Sequence, residues 1–218
     1  MSLPHGYAMM PRDINGDRVQ AIHLNEGVGN RVLMRGICKN SSGEVVVVGQ
    51  VHGDFVAEKW SSDLSTRVTR KRIDYIGVGS GINGNSAFIE PIPTGGYFTA
   101  HMNAPQTVVI NRLDEDLEVI DRWEPDFTES QEYPSDMRLL SNGDLLLKTF
   151  RLDANINTDS RLYRASPKGE LIWSRTFDGT NGRVAIWDDA YWIITENPKH
   201  DELLVKSRIH KINSDGAN

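Results

Sequence analysis

Residues 143–148 read Gly-Asp-Leu-Leu-Leu-Lys, a turn glycine followed by a run of strand-forming side chains. The same order, a turn residue and then a short run of strand formers, starts again at residues 43, 95 and 189. Successive starts are about 50 residues apart, which is a period typical of repeats that contain several strands. This repeat predicts an all-β protein, a small β-propeller in which each repeat forms one blade.

The third repeat shows what one blade contains. After the first strand, residues 160–165 read as a second strand, residues 167–169 as a tight Pro-Lys-Gly turn and residues 171–177 as a third strand. Turns of this composition between alternating strands are hairpin signals. One more short strand precedes the turn glycine, so we expect about four antiparallel strands in each of about four blades.

The repeats also set the predicted boundaries. The blades occupy residues 30–75, 85–124, 135–178 and 183–218. Residues 1–15 form an N-terminal arm, and residues 1–218 as a whole are a single domain. The fourth repeat lacks its last strand, and residues 17–24 read as a strand that would fill this place and close the ring. The alternative is an open array that another subunit completes.

Two resemblances accompany these patterns. Residues 162–177, with a strand, a glycine turn and Trp173, resemble the repeat of quinoprotein-like and kelch-like propellers, which implies the fold and no cofactor. Residues 6–17 with 29–33 resemble the opening segment of many bacteriophage structural proteins, which often docks an appendage onto a virion. The same N-terminal residues also fit a closing hairpin of the propeller.

Composition narrows the classes of function. Hydrophobic residues make up 39% and charged residues 25%, as in ordinary soluble domains. The net charge of -6 makes the chain a poor ligand for nucleic acid, whose phosphates attract Lys and Arg. The sequence shows no signal peptide and no apolar run of the roughly 20 residues that cross a membrane. We therefore expect no membrane insertion and a cytoplasmic or virion location. Cys38 is the single cysteine, so no internal disulfide can form.

One loop has the spacing of a calcium site. Asp153, Asn155, Asn157 and Asp159 place oxygen ligands at alternate positions, as at the start of an EF-hand loop. Thr158 and Arg164 depart from that pattern, and a polar loop held by Asn and Asp turns explains the same residues. Calcium is the one cofactor that the sequence suggests.

One run is strongly basic, and it consists of Arg67, Arg70, Lys71 and Arg72. Strand alternation would point Arg70 and Arg72 to one side and Lys71 to the other. Charge on an outer strand prevents pairing with other molecules. The run is also a candidate binding site for an acidic partner protein.

No set of residues suggests a catalytic site. The six histidines lack metal-ligand spacing and are predicted to be exposed or in loops. Trp173, Trp187 and Trp192 lie in strand runs and are predicted to pack in the core, although tryptophans also stack on sugars. We therefore expect a non-catalytic scaffold or protein-binding module, most concretely a bacteriophage virion component in a larger symmetric assembly. The alternative is a carbohydrate-binding or glycoside-processing propeller that acts through its axial face.

Overall fold

The computed structural model describes strands and turns. The described residues are 7–9, 22–24, 32–75, 87–103, 107–126, 128, 132–152, 158–179, 183–187, 190–197 and 206–216. Their antiparallel sheets confirm the all-β prediction. Across these residues, no helix has the length and apolar character that a membrane crossing requires.

The strands form a small N-terminal sheet and four larger sheets. The N-terminal sheet pairs β1 (Tyr7–Met9) with β2 (Ile22–Leu24). The first large sheet contains β3 (Val32–Lys39), β4 (Val45–Val51), β5 (Asp54–Trp60) and β6 (Arg67–Tyr75). The second contains β7 (Ala87–Pro91), β8 (Tyr97–Met102), β9 (Val108–Leu113) and β10 (Val119–Trp123). The third contains β11 (Glu132–Leu139), β12 (Leu145–Leu152), β13 (Thr158–Ala165) and β14 (Leu171–Asp178), and the fourth contains β15 (Val184–Trp187), β16 (Ala190–Asn197) and β17 (Lys206–Asn213).

Each large sheet is a meander in which every strand pairs with the next one in the chain. Three of them have the four strands predicted for a blade. The fourth has three, in the order β15-β16-β17, so β17 is an edge strand among the described residues.

The N-terminal strand differs from the prediction. Residues 17–24 were expected to complete the fourth blade, whereas Ile22–Leu24 pairs with Tyr7–Met9. Residues 17–21 lie outside the described residues. Pairing with a strand nearby in sequence closes a short loop, which loses less chain entropy than pairing with the far end of the chain.

The hairpin turns repeat the same backbone geometry. Gly143, Gly169 and Gly216 have φ between 86° and 89°. Each donates its N–H to the carbonyl three residues earlier, at 2.9 Å. Positive φ strains a residue with a Cβ, so glycine is favoured in these turns, although Leu64 and Leu117 adopt positive φ in the matching turns of the first two sheets. Residues 213–216, after β17, therefore repeat the turn that joins β13 to β14.

The contacts divide the chain into two compact units, residues 1–99 with 112–120 and residues 100–111 with 121–218. In the first unit, one face of the first sheet packs on the second sheet through Val46, Val48, Phe55 and Ala57. In the second unit, the third sheet packs on the fourth, and the shared core contains Leu140, Leu146, Leu162, Phe177, Val184, Tyr191, Ile193 and Ile212. Each such large apolar side chain contributes about 1.5–3 kcal/mol on burial.

Candidate functional site

An open cleft lies in the second unit, where β14 and β17 come together. Its volume is about 340 Å³, within the range of small-ligand sites. Its lining consists of Arg175, Thr176, Phe177, Asp178, Arg208, His210 and Lys211. We call it the basic cleft, because its lining has three permanent cations and one carboxylate.

The floor of the basic cleft is fixed by core packing. Phe177 is buried among the core side chains that the third and fourth sheets share. Its ring centre lies 4.9 Å from that of His210, with the two planes tilted by 52°. Because strand side chains alternate between faces, Arg208 and His210 of β17 point to the same side of the fourth sheet as the buried Ile212. The cleft residues therefore lie on a rigid base.

The cations of the basic cleft differ in how tightly they are held. Arg175 donates from Nε to the carbonyl of Gly216 at 2.6 Å, which fixes its position at the turn after β17. Arg208 lies 3.5 Å from Asp178, and both side chains are more than half exposed. Such an exposed ion pair contributes little free energy, so a stronger anionic ligand can displace Asp178. Lys211 is exposed, with its Nζ 5.4 Å from the centre of the Trp192 ring.

His210 adds a group that titrates near neutral pH. Its Nε2 lies 3.1 Å from Oγ1 of Thr195. Burial lowers the pKa of His210 below its usual 6.5, the charge of Arg208 lowers it further, and Asp178 opposes both. The imidazole is therefore neutral at pH 7, and acidification adds a positive charge to the cleft.

The predicted basic run lies on β6, and acidic residues pair with all four of its cations. The buried carboxylate of Glu58 lies 3.3 Å from Arg67 and 3.2 Å from Arg70. It also accepts a hydrogen bond from the indole of Trp60.

The other two cations of the run have different partners. Arg72 lies 3.1 Å from Asp54, and Lys71 reaches Glu118 on the opposite side of the strand. Both Lys71 and Glu118 belong to the first unit. These ion pairs neutralise much of the positive charge that would attract an acidic partner. Binding at this run stays a prediction.

The predicted calcium loop falls largely outside the described residues. This applies to Asp153, Asn155 and Asn157. Asp159 is in β13, with its carboxylate 3.6 Å from Nε of Arg161. In the described part of the chain, no three His, Cys, Asp or Glu side chains lie close enough together to hold a metal ion. Calcium at this loop stays a prediction.

Two buried polar clusters stabilise the third sheet. Glu132 accepts hydrogen bonds from the hydroxyls of Tyr163 and Thr149, and its carboxylate lies 2.9 Å from Arg161. Burial raises the pKa of the Tyr163 hydroxyl, which therefore remains protonated. These groups are enclosed, so we assign them to stability.

The second cluster surrounds Lys148. This side chain is fully buried and donates to the hydroxyls of Ser135 and Ser160, both at 3.2 Å. Burial lowers its pKa from 10.5 to about 8, and the charge of Asp136 opposes the change. The Ser160 hydroxyl in turn donates to the carbonyl of Gly179, so it is held in place and away from solvent.

Sequence reasoning did not identify the basic cleft. The histidines were expected to be exposed or in loops, whereas His210 is half-buried in a strand. Alternation along residues 206–213 predicts which side chains share a face, but it does not predict that this face meets β14. The predicted core position of Trp187 is also wrong, because its side chain is 67% exposed.

The chain matches neither the known protein-family models nor the curated proteins. Among solved structures it is similar to the propeller of Dos1, with a TM-score of 0.53 and 7% identity over 86% of this chain and 47% of that one. It is also similar to the Hadza microbial sialidase Hz136, with a TM-score of 0.57 and 8% identity over 94% of this chain and 51% of that one. The fold is that of a β-propeller.

A third similar structure is the alpha-L-arabinofuranosidase from Lactobacillus brevis. Its TM-score is 0.51 at 10% identity, and the match covers 84% of this chain and 69% of that one. At these identities the likeness shows the fold alone. This propeller chain spans about half the length of the Dos1 propeller and the microbial sialidase.

Proposed function

We propose that this propeller is a non-catalytic binding module whose basic cleft holds an acidic segment of a partner protein. The observation that carries the proposal is the excess of cations over carboxylates around one cavity, whose lining includes Arg175, Arg208 and Lys211 and the single carboxylate Asp178. Arginine binds carboxylates with paired hydrogen bonds, and charge complementarity of this kind sets partner choice and association rate.

Rigid packing supports the same proposal. Phe177 and the backbone carbonyl of Gly216 fix one side of the cleft, so little order has to be gained on binding. The cleft also lies on strands, which hold a site more precisely than loops do. A virion protein, as residues 6–34 suggest, is one setting for such a module, and that suggestion rests on those residues alone.

The glycoside-processing alternative draws on the sialidase and the arabinofuranosidase. Their likeness extends to the fold and does not carry a reaction to this chain. The described buried carboxylates Glu58, Glu132, Asp136 and Asp144 each lie beside an arginine and accept at least one further hydrogen bond. We therefore favour binding over sugar chemistry.

The test uses fluorescence anisotropy with a labelled hexaglutamate peptide. We expect Arg208→Gln to weaken binding about tenfold, which corresponds to about 1.4 kcal/mol. Lys168→Gln removes the same charge from an exposed turn away from the cleft and should leave affinity unchanged. Equal losses in both variants, or no binding by the unsubstituted protein, would contradict the proposal.

A further inference from the structure

One ion pair of the basic cleft joins the third sheet to the fourth. Asp178 is the last residue of β14, and Arg208 lies in β17. Nη1 of Arg208 is 3.5 Å from Oδ2 of Asp178, and the two side chains are 53% and 83% exposed. A carboxylate of the protein itself therefore already occupies an anion position at one of the cations that an acidic ligand would contact.

This ion pair is loose in comparison with a partly buried pair nearby. In the third sheet, Arg164 donates from Nε and from Nη2 to Oδ2 of Asp144, at 2.8 Å and 2.6 Å. Asp178 holds Arg208 through one contact at the upper limit of hydrogen-bond distance. Both of its side chains are exposed, so the pair can open without disturbing the core.

Opening the pair still has a cost, because a second carboxylate lies beside Asp178. Asp159 is directly opposite Asp178 in the register of β13 and β14, and like charges in this position repel each other. The carboxylate of Asp159 is 3.6 Å from Arg161. Arg208 supplies a positive charge on the other side of Asp178, and a ligand that takes over Arg208 removes this compensation.

We infer that Asp178 is a built-in competitor of the ligand at Arg208, and that it restricts the basic cleft to segments with several carboxylates. The inference rests on the proposed binding of an acidic segment. The backbone holds Asp178 beside Arg208, which gives its carboxylate an effective concentration of millimolar order. A single ligand carboxylate in its place exchanges one carboxylate for another and adds no ion pair.

Further carboxylates of the ligand gain affinity at Arg175. Its Nε donates to the carbonyl of Gly216 at 2.6 Å, and its Nη1 donates to the carbonyl of Ser174 at 3.1 Å. Both acceptors are uncharged, so these contacts fix the guanidinium without neutralising it. A segment with several carboxylates can displace Asp178 with one of them and pair another with Arg175, which is a net gain.

Fluorescence anisotropy with labelled hexaglutamate tests the competition. Asp178→Asn should tighten binding about fivefold, the amount expected when an exposed ion pair no longer has to be broken. Glu170→Gln also removes one negative charge, from an exposed residue outside the cleft lining, and should change the affinity by less than about twofold. Partial unfolding does not produce a gain in affinity, so the expected result is specific to the competitor.

A double-substitution cycle separates competition at Arg208 from a general effect of charge. In the Arg208→Gln background, Asp178→Asn should give no gain, because the cation for which it competes is absent. An equal gain in both backgrounds would overturn the inference. So would unchanged affinity in Asp178→Asn while Arg208→Gln still weakens binding, and that result would leave the proposed function standing. No binding by the unsubstituted protein would contradict the proposed function itself.

A second peptide tests the need for several carboxylates. A hexapeptide with one glutamate among glycines should bind the unsubstituted protein no more tightly than hexaglycine does. Its binding as tightly as hexaglutamate would overturn the role of Asp178 in selecting the ligand.

Discussion

Gly169 lies directly against the indole of Trp123. A Cβ added to Gly169 would be 2.6 Å from Nε1 of Trp123 and 2.8 Å from its Cδ1. The turn between β13 and β14 thus fits onto a side chain of β10. Gly216 repeats the arrangement against Trp173, where an added Cβ would be 3.0 Å from the ring. A turn glycine on a tryptophan is therefore part of the repeat in the second unit.

This contact predicts an unequal effect of two identical substitutions. Gly169→Ala and Gly143→Ala both place a side chain at positive φ, 86° and 89°, which costs about 1–2 kcal/mol. At Gly143 the nearest atom would be 3.4 Å away, on Pro167, whereas Gly169 also meets the indole. We expect Gly169→Ala to lower the free energy of unfolding by a further 1–3 kcal/mol or so. Urea denaturation measures the difference, and equal losses would mean that the indole moves away freely.

The repeat pattern predicted the sheets well because each strand and each turn is a local feature. Residues 145–147 are apolar on both faces, and all three side chains are buried, as a strand between two neighbours requires. Trp187 lies in an equally apolar run, yet it is exposed. The difference is whether a neighbouring sheet covers that face, and this depends on which sheets adjoin rather than on the run itself.

The ion pairs of the basic run could likewise not be predicted from the sequence. The sequence shows four cations in residues 67–72, but not that Glu58 lies opposite Arg70. That pairing depends on register shifts between β5 and β6, one of them at Lys59 and Trp60. Strand bulges of this kind leave little trace in a single sequence.

Substitutions of Glu58 and Asp54 compare a buried carboxylate with a partly exposed one on the same strand. Glu58→Gln leaves Arg67 and Arg70 without their buried counter-charge, and we expect a loss of about 3 kcal/mol in unfolding free energy. Asp54→Asn makes the same chemical change at a partly exposed carboxylate paired with Arg72, and we expect a loss of less than about 1 kcal/mol. Urea denaturation compares the two, and a larger loss for Asp54→Asn would contradict the role given to Glu58.

Lys148 predicts how stability changes with pH. Its folded-state pKa of about 8 lies below the ordinary value of 10.5, so between these values the unfolded chain binds more protons. Its contribution to stability therefore rises as the pH increases from about 8 to 10.5, by about 3 kcal/mol in all. Lys148→Met should remove this rise. At pH 7 the variant should have a larger free energy of unfolding than the unsubstituted protein.

Urea denaturation at pH 7 and pH 10 measures the effect of Lys148. Lys168→Met serves as the control, because Lys168 is exposed in the turn before β14. Its free energy of unfolding should change between pH 7 and pH 10 by the same amount as that of the unsubstituted protein. If the free energy of unfolding of Lys148→Met also changed by this amount, Lys148 would stay charged throughout this range.

His210 predicts how ligand binding depends on pH. Its pKa is lowered from 6.5 by burial and by Arg208, so the ring gains its proton only as the pH falls below that value. The added positive charge joins those of Arg175 and Arg208 in the lining of the cleft. An acidic peptide should therefore bind more tightly at pH 5.5 than at pH 7.5, and by linkage the bound peptide should raise the pKa of His210.

His210→Gln should abolish this difference while leaving binding at pH 7.5 within about twofold, since the ring is neutral there. Anisotropy titrations with hexaglutamate at the two pH values measure both effects, and an unchanged pH dependence in His210→Gln would assign it to another group.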